Sequence, residues 1–412
     1  MSRTSKPLLL SLLLVCGSAA MADSADVGGH GKLRAQGFAV PSDSLLRDST
    51  SSPSTSADLE LRLNGRWQQD GLALKLEGQL FATQGDRVNL IGAFGRVPFP
   101  DDQLRGVDLT TVISEGSDRL LLARIDRAVV SLTRENLVVR AGRQALSWGG
   151  GLFFGPFDLV NPFDPAALDT EYKVGDDMLY AQWLFDDGSD IEFAWVFRQD
   201  PFTGRSRSDV SSQLAKYRGR FGNTDIELLG GRHYDETVAG VGLSGDWAGA
   251  VWQVDALLTD TRDGRVSQVV ANLSRSWVAL ARNMTGAVEI YYNGFGVSAD
   301  DLTFADLPPT LSERLLRGEQ FTIGRRYLAA NVGVEMTPLL TLAATGFVSL
   351  DSGAALLQVG GRYSVGDNTE LQFTIDTPLG PDDTEFRGLP LSPELPPASR
   401  GAGFFVQIAR YF

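Results

Sequence analysis

The chain has 412 residues and a net charge of −14, and so acidic a protein argues against nucleic acid as a partner. No run of about 18 apolar residues follows residue 22, which argues against membrane-spanning α-helices. The only cysteine is Cys16, and neither a metal-ligand cluster nor a phosphate-binding glycine motif occurs. We therefore expect no cofactor and no metal.

The N-terminus has the features of a secretory signal peptide. Arg3 and Lys6 form a basic segment, residues 8–15 are apolar, and Ala20-Met21-Ala22 is a cleavage motif. The apolar segment is too short to cross a bilayer. We predict a signal peptide at residues 1–22 that directs the mature chain out of the cytoplasm.

Apolar and polar residues alternate along much of the mature chain. Leu59, Leu61 and Leu63 alternate with Glu60 and Arg62, and this period of two predicts a β-strand with one apolar and one polar face. Similar alternation recurs in residues 72–80, 191–197, 252–258, 370–376 and 404–412. The pattern predicts an all-β protein.

Tight turns and long loops largely alternate along the chain. The long loops are predicted at about 41–57, 84–118, 149–176, 199–211, 298–321 and 378–399. Transmembrane β-barrels have this organisation, with short turns at one end and long loops at the other. We predict that residues 23–412 form a single antiparallel up-and-down barrel of about 18 strands, with 16 as the alternative. The count of 18 requires a first strand at His30–Val40.

The last strand of the chain ends on an aromatic residue. Phe404, Val406, Ile408 and Phe412 lie on one parity of this strand. A final strand ending in Phe resembles the terminal strand of Gram-negative outer-membrane barrels, although Arg410 stands where Tyr is common. The resemblance implies an outer-membrane location and an assembly machinery that recognises Phe412. Implied partners are the lipid bilayer and lipopolysaccharide, whose phosphates divalent cations would bridge to the acidic loops.

Charged residues of the polar parity are predicted to line the inside of the barrel. The cationic residues are Arg62, Arg66, Lys75, Lys216, Arg218, Arg220, Arg325 and Arg362, and the acidic residues are Glu77, Asp255, Glu335, Glu370 and Asp376. Three of them, Lys216, Arg218 and Arg220, would form a cationic ladder up the wall. Charges of both signs along a water-filled lumen favour small polar solutes. A salt-bridged interior without conduction is the alternative.

The loop at 149–176 is unusually rich in aromatic residues and proline. We predict that it folds into the barrel and narrows it, through Trp148, Phe153, Phe154, Phe157, Asp158, Phe163 and Asp164. The preceding motif, Gly142-Arg143-Gln144-x-Leu146-Ser147-x-Gly149, resembles one found in alginate-export-type and related barrels. The resemblance covers about eight residues and implies no particular substrate.

The sequence thus predicts a passive porin for small polar or charged solutes, and not an enzyme. One alternative is a receptor or adhesin with a plugged lumen. Another is a barrel hydrolase that uses His233, although a surface histidine is the simpler interpretation of that residue. Association into homotrimers stays open.

Overall fold

A computed structural model describes residues 24–94, 102–200, 203–298 and 302–412. The predicted signal peptide lies outside these residues. In the described part, 19 strands form one antiparallel sheet. In chain order they are β1 (Ser24–Phe38), β2 (Ser54–Gln69), β3 (Leu72–Gly85), β4 (Thr110–Glu115), β5 (Arg119–Arg134), β6 (Leu137–Gln144), β7 (Asp176–Leu184), β8 (Asp190–Val196), β9 (Ser212–Phe221), β10 (Thr224–His233), β11 (Glu236–Trp247), β12 (Ala250–Thr261), β13 (Gly264–Ala279), β14 (Arg282–Asn293), β15 (Arg326–Thr337), β16 (Leu340–Ser349), β17 (Ala355–Gly366), β18 (Thr369–Leu379) and β19 (Gly403–Tyr411).

The sheet closes because its first and last strands pair. β1 pairs with β2 along its whole length and with β19 from His30 opposite Tyr411 to Phe38 opposite Gly403. β4 pairs with the loop-side half of β5, on the edge of β5 that also pairs with β6. β3 pairs with the opposite edge of β5, so β4 is not a separate member of the ring. Eighteen strands therefore close the ring, which confirms the predicted antiparallel barrel. The first strand begins at Ser24 and not at His30, because Ser24 already pairs with Gln68 of β2.

The two ends of the barrel carry different connections. At one end, here the turn end, strands are joined by residues 70–71, 135–136, 185–189, 222–223, 248–249, 280–281, 338–339 and 367–368. The opposite end, here the loop end, carries these described residues: 39–53, 86–94, 102–118, 145–175, 197–200, 203–211, 234–235, 262–263, 294–298, 302–325, 350–354 and 380–402. Asp70 and Gly71 both have positive φ, as a two-residue hairpin turn requires.

Two short helices belong to the long loops. Helix α1 (Asp86–Phe94) follows β3, and helix α2 (Pro309–Arg317) lies between β14 and β15. Within the described ranges, no helix is both long and apolar enough to cross a membrane.

The strands have an apolar outer face and a polar inner face. On β2, Leu59 and Leu61 are 52% and 39% exposed, whereas Glu60 and Arg62 between them are 5% and 3% exposed. Apolar residues that point outward and polar residues that point inward are typical of barrels surrounded by lipid. Because of this arrangement, the buried core lies inside the barrel.

Candidate functional site in the barrel interior

The connection between β6 and β7, residues 145–175, is here called the inner loop. It begins after Gly142, whose φ is +119° and where a Cβ atom would lie 2.0 Å from the carbonyl oxygen of Ala128. Only glycine fits such a position. The fully buried guanidinium of Arg143 then forms ion pairs of 3.0 Å with Asp102 and 2.9 Å with Asp177. These contacts fix the point from which the inner loop enters the barrel.

Trp148 connects the start of the inner loop to the wall. Its indole N–H donates to Glu192 of β8 over 2.7 Å, and the hydroxyl of Tyr180 donates to the same carboxylate over 2.9 Å. The ammonium of Lys216 on β9 lies 3.1 Å from Glu192 and 5.6 Å from the Trp148 ring centroid. The carboxylate of Glu192 therefore joins the loop to three neighbouring strands.

Glu289 of β14 holds the next segment of the inner loop. Its carboxylate accepts hydrogen bonds from the backbone N–H groups of Leu152, Phe153 and Phe154 at 2.6, 3.0 and 2.7 Å. The side-chain amide of Asn272 on β13 donates to it over 3.2 Å. Glu289 is fully buried, so these donors replace the water that a carboxylate would otherwise bind.

Aromatic side chains of the inner loop fill the space between it and the wall. Phe154 stacks on Tyr291 with ring centroids 4.7 Å apart. Phe157 is fully buried; its ring lies so close to Gly240 that a Cβ there would be 2.5 Å away. Two apolar clusters result, one against β7–β12 and one against β13–β17.

The inner loop then returns along the remaining strands. Gln358 of β17 and Gln372 of β18 donate to the carbonyl oxygens of Ala166 and Leu168, each over 2.8 Å. Glu171 accepts a hydrogen bond of 2.9 Å from the hydroxyl of Tyr411 on β19. These contacts bring the loop to the seam between the first and last strands.

The seam and its neighbours carry the densest group of charges. Lys32 of β1 lies 2.8 Å from Asp169 and 2.7 Å from Glu171. Burial of Asp169 opposes its ionisation, but the hydrogen bond and charge of Lys32, together with the charge of Arg34, outweigh burial and hold its pKa below the ordinary value. The ring of Tyr172 lies over the Arg62 guanidinium, with 4.2 Å between its carbon and the ring centroid.

A buried ion pair closes the base of the inner loop. Lys173 donates to the carboxylate of Asp158 and, over 3.2 Å, to the hydroxyl of Ser147. Burial raises the pKa of Asp158 although Lys173 acts in the opposite direction, and burial lowers the pKa of Lys173. Arg127 of β5 donates to the carbonyl oxygen of Lys173. The inner loop thus contacts the wall from β7 round to β19, β1, β2 and β5.

The predicted wall cations lie in two kinds of environment. Lys216 and Arg62 are buried, and Arg62 pairs with Glu77 at 3.2 Å and Asp126 at 2.8 Å. Lys75, Arg218 and Arg220 are roughly half to two-thirds exposed near the turn end, each beside a carboxylate. The exposed cations also include Arg66, Arg362 and Arg325.

Each residue of the predicted ladder has an acidic partner. Lys216 pairs with Glu192, Arg218 with Asp190 at 2.6 Å, and Arg220 with Asp225 at 3.4 Å. Arg325 lies just before β15, in the loop 294–325, and its guanidinium donates to the carbonyl oxygen of Gly296. The ladder is therefore neutralised along its length.

Most of the predicted acidic residues are held by a hydrogen bond or an ion pair. Asp255 is fully buried and accepts a 3.0 Å hydrogen bond from the backbone of Gly150. Glu335 accepts one of 2.7 Å from Asn283, and Asp376 pairs with Arg400. Glu77 is bound by Arg62 and Lys75, and Glu370 is half-buried.

The predicted constriction residues do not all face the wall. Trp148, Phe154 and Phe157 are buried, and Phe153 packs edge-on against Phe347 with ring centroids 5.5 Å apart. Phe163 is half-buried and Asp164 is exposed.

His233 is buried at the end of β10 and is not a surface histidine. Its Nδ1 lies 2.9 Å from the hydroxyl of Ser212, and its Nε2 lies 3.3 Å from Glu319. Ser212 is itself 1% exposed, and its hydroxyl oxygen accepts a 2.8 Å hydrogen bond from Arg198. The hydroxyl is thus inaccessible and already engaged, which does not suit a nucleophile.

Sequence reasoning missed several residues that build this site. Chief among them are Lys32, Glu192, Glu289, Tyr172 and Lys173. Glu192 and Glu289 could have been found, because each is a carboxylate on the inner parity of a strand whose outer parity is apolar. Tyr172 and Lys173 lie in a loop and carry no such periodic signal. No group of three metal-ligating side chains occurs in the part of the chain that the structure describes.

Comparison with known proteins places the fold. A family described as a protein of unknown function (DUF1302) matches residues 127–225. No curated protein matches the sequence. Among solved structures, the barrel is similar to OccAB4 of Acinetobacter baumannii, with 10% identity and a TM-score of 0.52 over 96% of this chain and 100% of that one.

Two Pseudomonas aeruginosa structures are similar to the same degree. OccK11 (OpdR) has 11% identity and a TM-score of 0.51, covering 94% of this chain and 95% of that chain. OccD3 (OpdP) has 9% identity and a TM-score of 0.52, covering 96% and 93%. None of the three is described as an alginate exporter, so the resemblance of the Gly142–Gly149 motif stays a prediction. The chain thus shares the fold of these three structures, a closed antiparallel β-barrel.

Proposed function

We propose that this protein is a passive porin of the Gram-negative outer membrane. Small polar or charged solutes would diffuse through its lumen, which the inner loop narrows. The turn end would face the periplasm and the long loops the outside, as in other barrels of this kind.

The observation that carries this proposal is the exposure of charged side chains on the inner face near the turn end. Arg218 and Arg220 share the parity of buried Leu214 and Lys216, opposite the outward Tyr217. Their side chains are nevertheless 52% and 67% exposed. Inward-facing side chains that remain exposed leave the inner face accessible to water at the turn end, and a ring of 18 strands is wide enough to hold water in its interior.

The route past the inner loop would be lined by charges of both signs. Glu171 of the inner loop lies partly exposed on the seam side, and the exposed Arg220 and Asp225 lie on β9 and β10 near the turn end. Charged walls in a narrow aqueous passage select solutes by charge and orient their dipoles. The acidic loops outside would draw cations toward the mouth or bind lipopolysaccharide through divalent cations.

Planar-bilayer recording of the purified protein tests the proposal. A passive porin gives steady, reproducible conductance steps, and liposomes containing it swell in isotonic solutions of solutes below a size limit. Empty liposomes and heat-denatured protein serve as controls. Absence of both conductance and swelling, with a barrel shown to be folded, would contradict the proposal and favour a receptor or adhesin with a plugged lumen.

A further inference from the structure

We infer that Glu289 is the positioning residue that holds the inner loop across the lumen and thereby sets the size of the opening. This inference rests on the proposed porin function. It concerns a side chain far in sequence from the inner loop, on the strand that the loop reaches after crossing the barrel.

The position of β14 in the ring explains why a tether is needed there. The inner loop starts from β6, and β14 is eight strands along a ring of 18, which is close to the opposite wall. A loop that leaves one wall has no covalent constraint on the far side. Contacts with the far wall therefore help to determine how far the loop extends, and Glu289 supplies three of them.

The contacts at Glu289 form a binding site for residues 152–154 of the inner loop. Three consecutive backbone N–H groups, from Leu152, Phe153 and Phe154, point at one carboxylate. Consecutive N–H groups directed at an anion form a concave binding site of considerable strength. Asn272 adds a fourth donor, and its amide also donates to the carbonyl oxygen of Gly150 over 3.1 Å.

A carboxylate is needed because all four neighbours are donors. Both oxygens of an ionised carboxyl group accept hydrogen bonds and neither donates. Among the described residues, no cation forms an ion pair with Glu289, so the loop backbone and Asn272 are its partners. A glutamine of the same shape would place an amide N–H₂ against at least one backbone N–H. Residues 152–154 would then lose a hydrogen-bond acceptor, whereas the barrel wall would keep its shape.

The test compares Glu289→Gln with the control Glu370→Gln in the intact protein. Glu370 is also a strand carboxylate of the inner parity, and no hydrogen bond joins it to the inner loop in the described residues. Hydrogen exchange of the backbone N–H groups of Leu152–Phe154 should become about tenfold faster or more in E289Q. A buried N–H group that loses its acceptor is typically destabilised by about 1.4 kcal/mol or more, and that energy corresponds to a factor of ten. E370Q should exchange at the wild-type rate.

Conductance supplies the second readout. E289Q should show altered mean conductance with added fluctuations and a shifted solute size limit in swelling assays, while its heat-modifiable migration on gels shows an intact barrel. Unchanged exchange together with unchanged conductance in E289Q would overturn the inference. Silence of the wild-type protein would instead count against the porin function, and the exchange measurement would still decide whether Glu289 holds the loop.

Discussion

The ammonium group of Lys32 lies 2.8 Å from the carboxylate of Asp169. Lys32 is on β1, which pairs with β19 to close the barrel, and its side chain is 1% exposed. Asp169 lies in residues 166–171 of the inner loop, the part that contacts β17, β18 and β19 and is here called the returning arm. The ion pair thus connects the strand that closes the barrel to the loop proposed to narrow it.

The first prediction is that replacing Lys32 releases this arm. In Lys32→Met, Glu171 loses its cation and Asp169 keeps only Arg34, whose guanidinium lies 2.7 Å away, so single-channel conductance should rise or fluctuate more at pH 7. Lys75→Met is the matched control, because Lys75 is an exposed wall cation paired with Glu77 near the turn end. Equal behaviour of the two variants would contradict the prediction.

A pH dependence follows from the same pair. The pKa of Asp169 in the folded protein lies below its ordinary value of about 3.9. The ion pair is therefore fully present above that value and is lost as the pH falls through the lowered pKa. Wild-type conductance should stay constant between pH 7 and about 5 and change only in stronger acid. A transition near neutral pH would show that another group controls the arm.

The second prediction is that exposed Arg220 and buried Lys216, both in the predicted ladder, respond differently to charge reversal. Arg220 is 67% exposed, so Arg220→Glu should shift the reversal potential toward cation selectivity while the barrel stays equally stable. Lys216 is buried against Glu192 and Trp148. Lys216→Glu should therefore also disturb the inner loop, since it places two buried carboxylates together. Reversal potentials in a KCl gradient and conductance noise distinguish the two effects.

The strands were predictable because alternation is a local signal. Leu59–Leu63 alone indicates one apolar and one polar face, and the turn at Asp70-Gly71 follows from two residues that tolerate positive φ. The start of β1 was harder to predict, because Gly28, Gly29 and Gly31 provide no side chains to alternate. Pairing with β2, rather than local pattern, extends β1 to Ser24.

The partners of the interior charges were not predictable from the sequence. Glu289 is more than 130 residues from Leu152, and Lys32 is a similar distance from Asp169. Such pairs depend on how far the inner loop extends across the closed ring. Parity indicates that Lys216 points inward, but the position of Glu192 on the neighbouring strand decides that it is neutralised.

The third prediction concerns Gly142 of β6, three residues before the inner loop. In Gly142→Ala, the Cβ would lie 2.0 Å from the Ala128 carbonyl oxygen at a φ of +119°, so the strand pairing must shift and the cost should be about 2 kcal/mol or more. Gly346→Ala is the control, because nothing lies within 4 Å of its Cβ position. Heat-modifiable migration at increasing temperature should show a lower melting point for G142A alone.

The fourth prediction tests Phe412 as the assembly signal. The backbone of Phe412 exchanges two hydrogen bonds with Gly29, at 2.8 and 3.0 Å, and its ring lies over that glycine. Phe404 is a matched control, because it lies on the same outward face of β19 with its ring over Gly37. Both substitutions to alanine remove a similar packing contact at the seam, whereas only Phe412→Ala changes the terminal residue. If assembly machinery recognises that residue, F412A should reduce the folded fraction recovered from outer membranes severalfold more than F404A does. Refolding both variants in detergent, without the machinery, should give similar yields, and an equal loss in cells would show that Phe412 acts through packing alone.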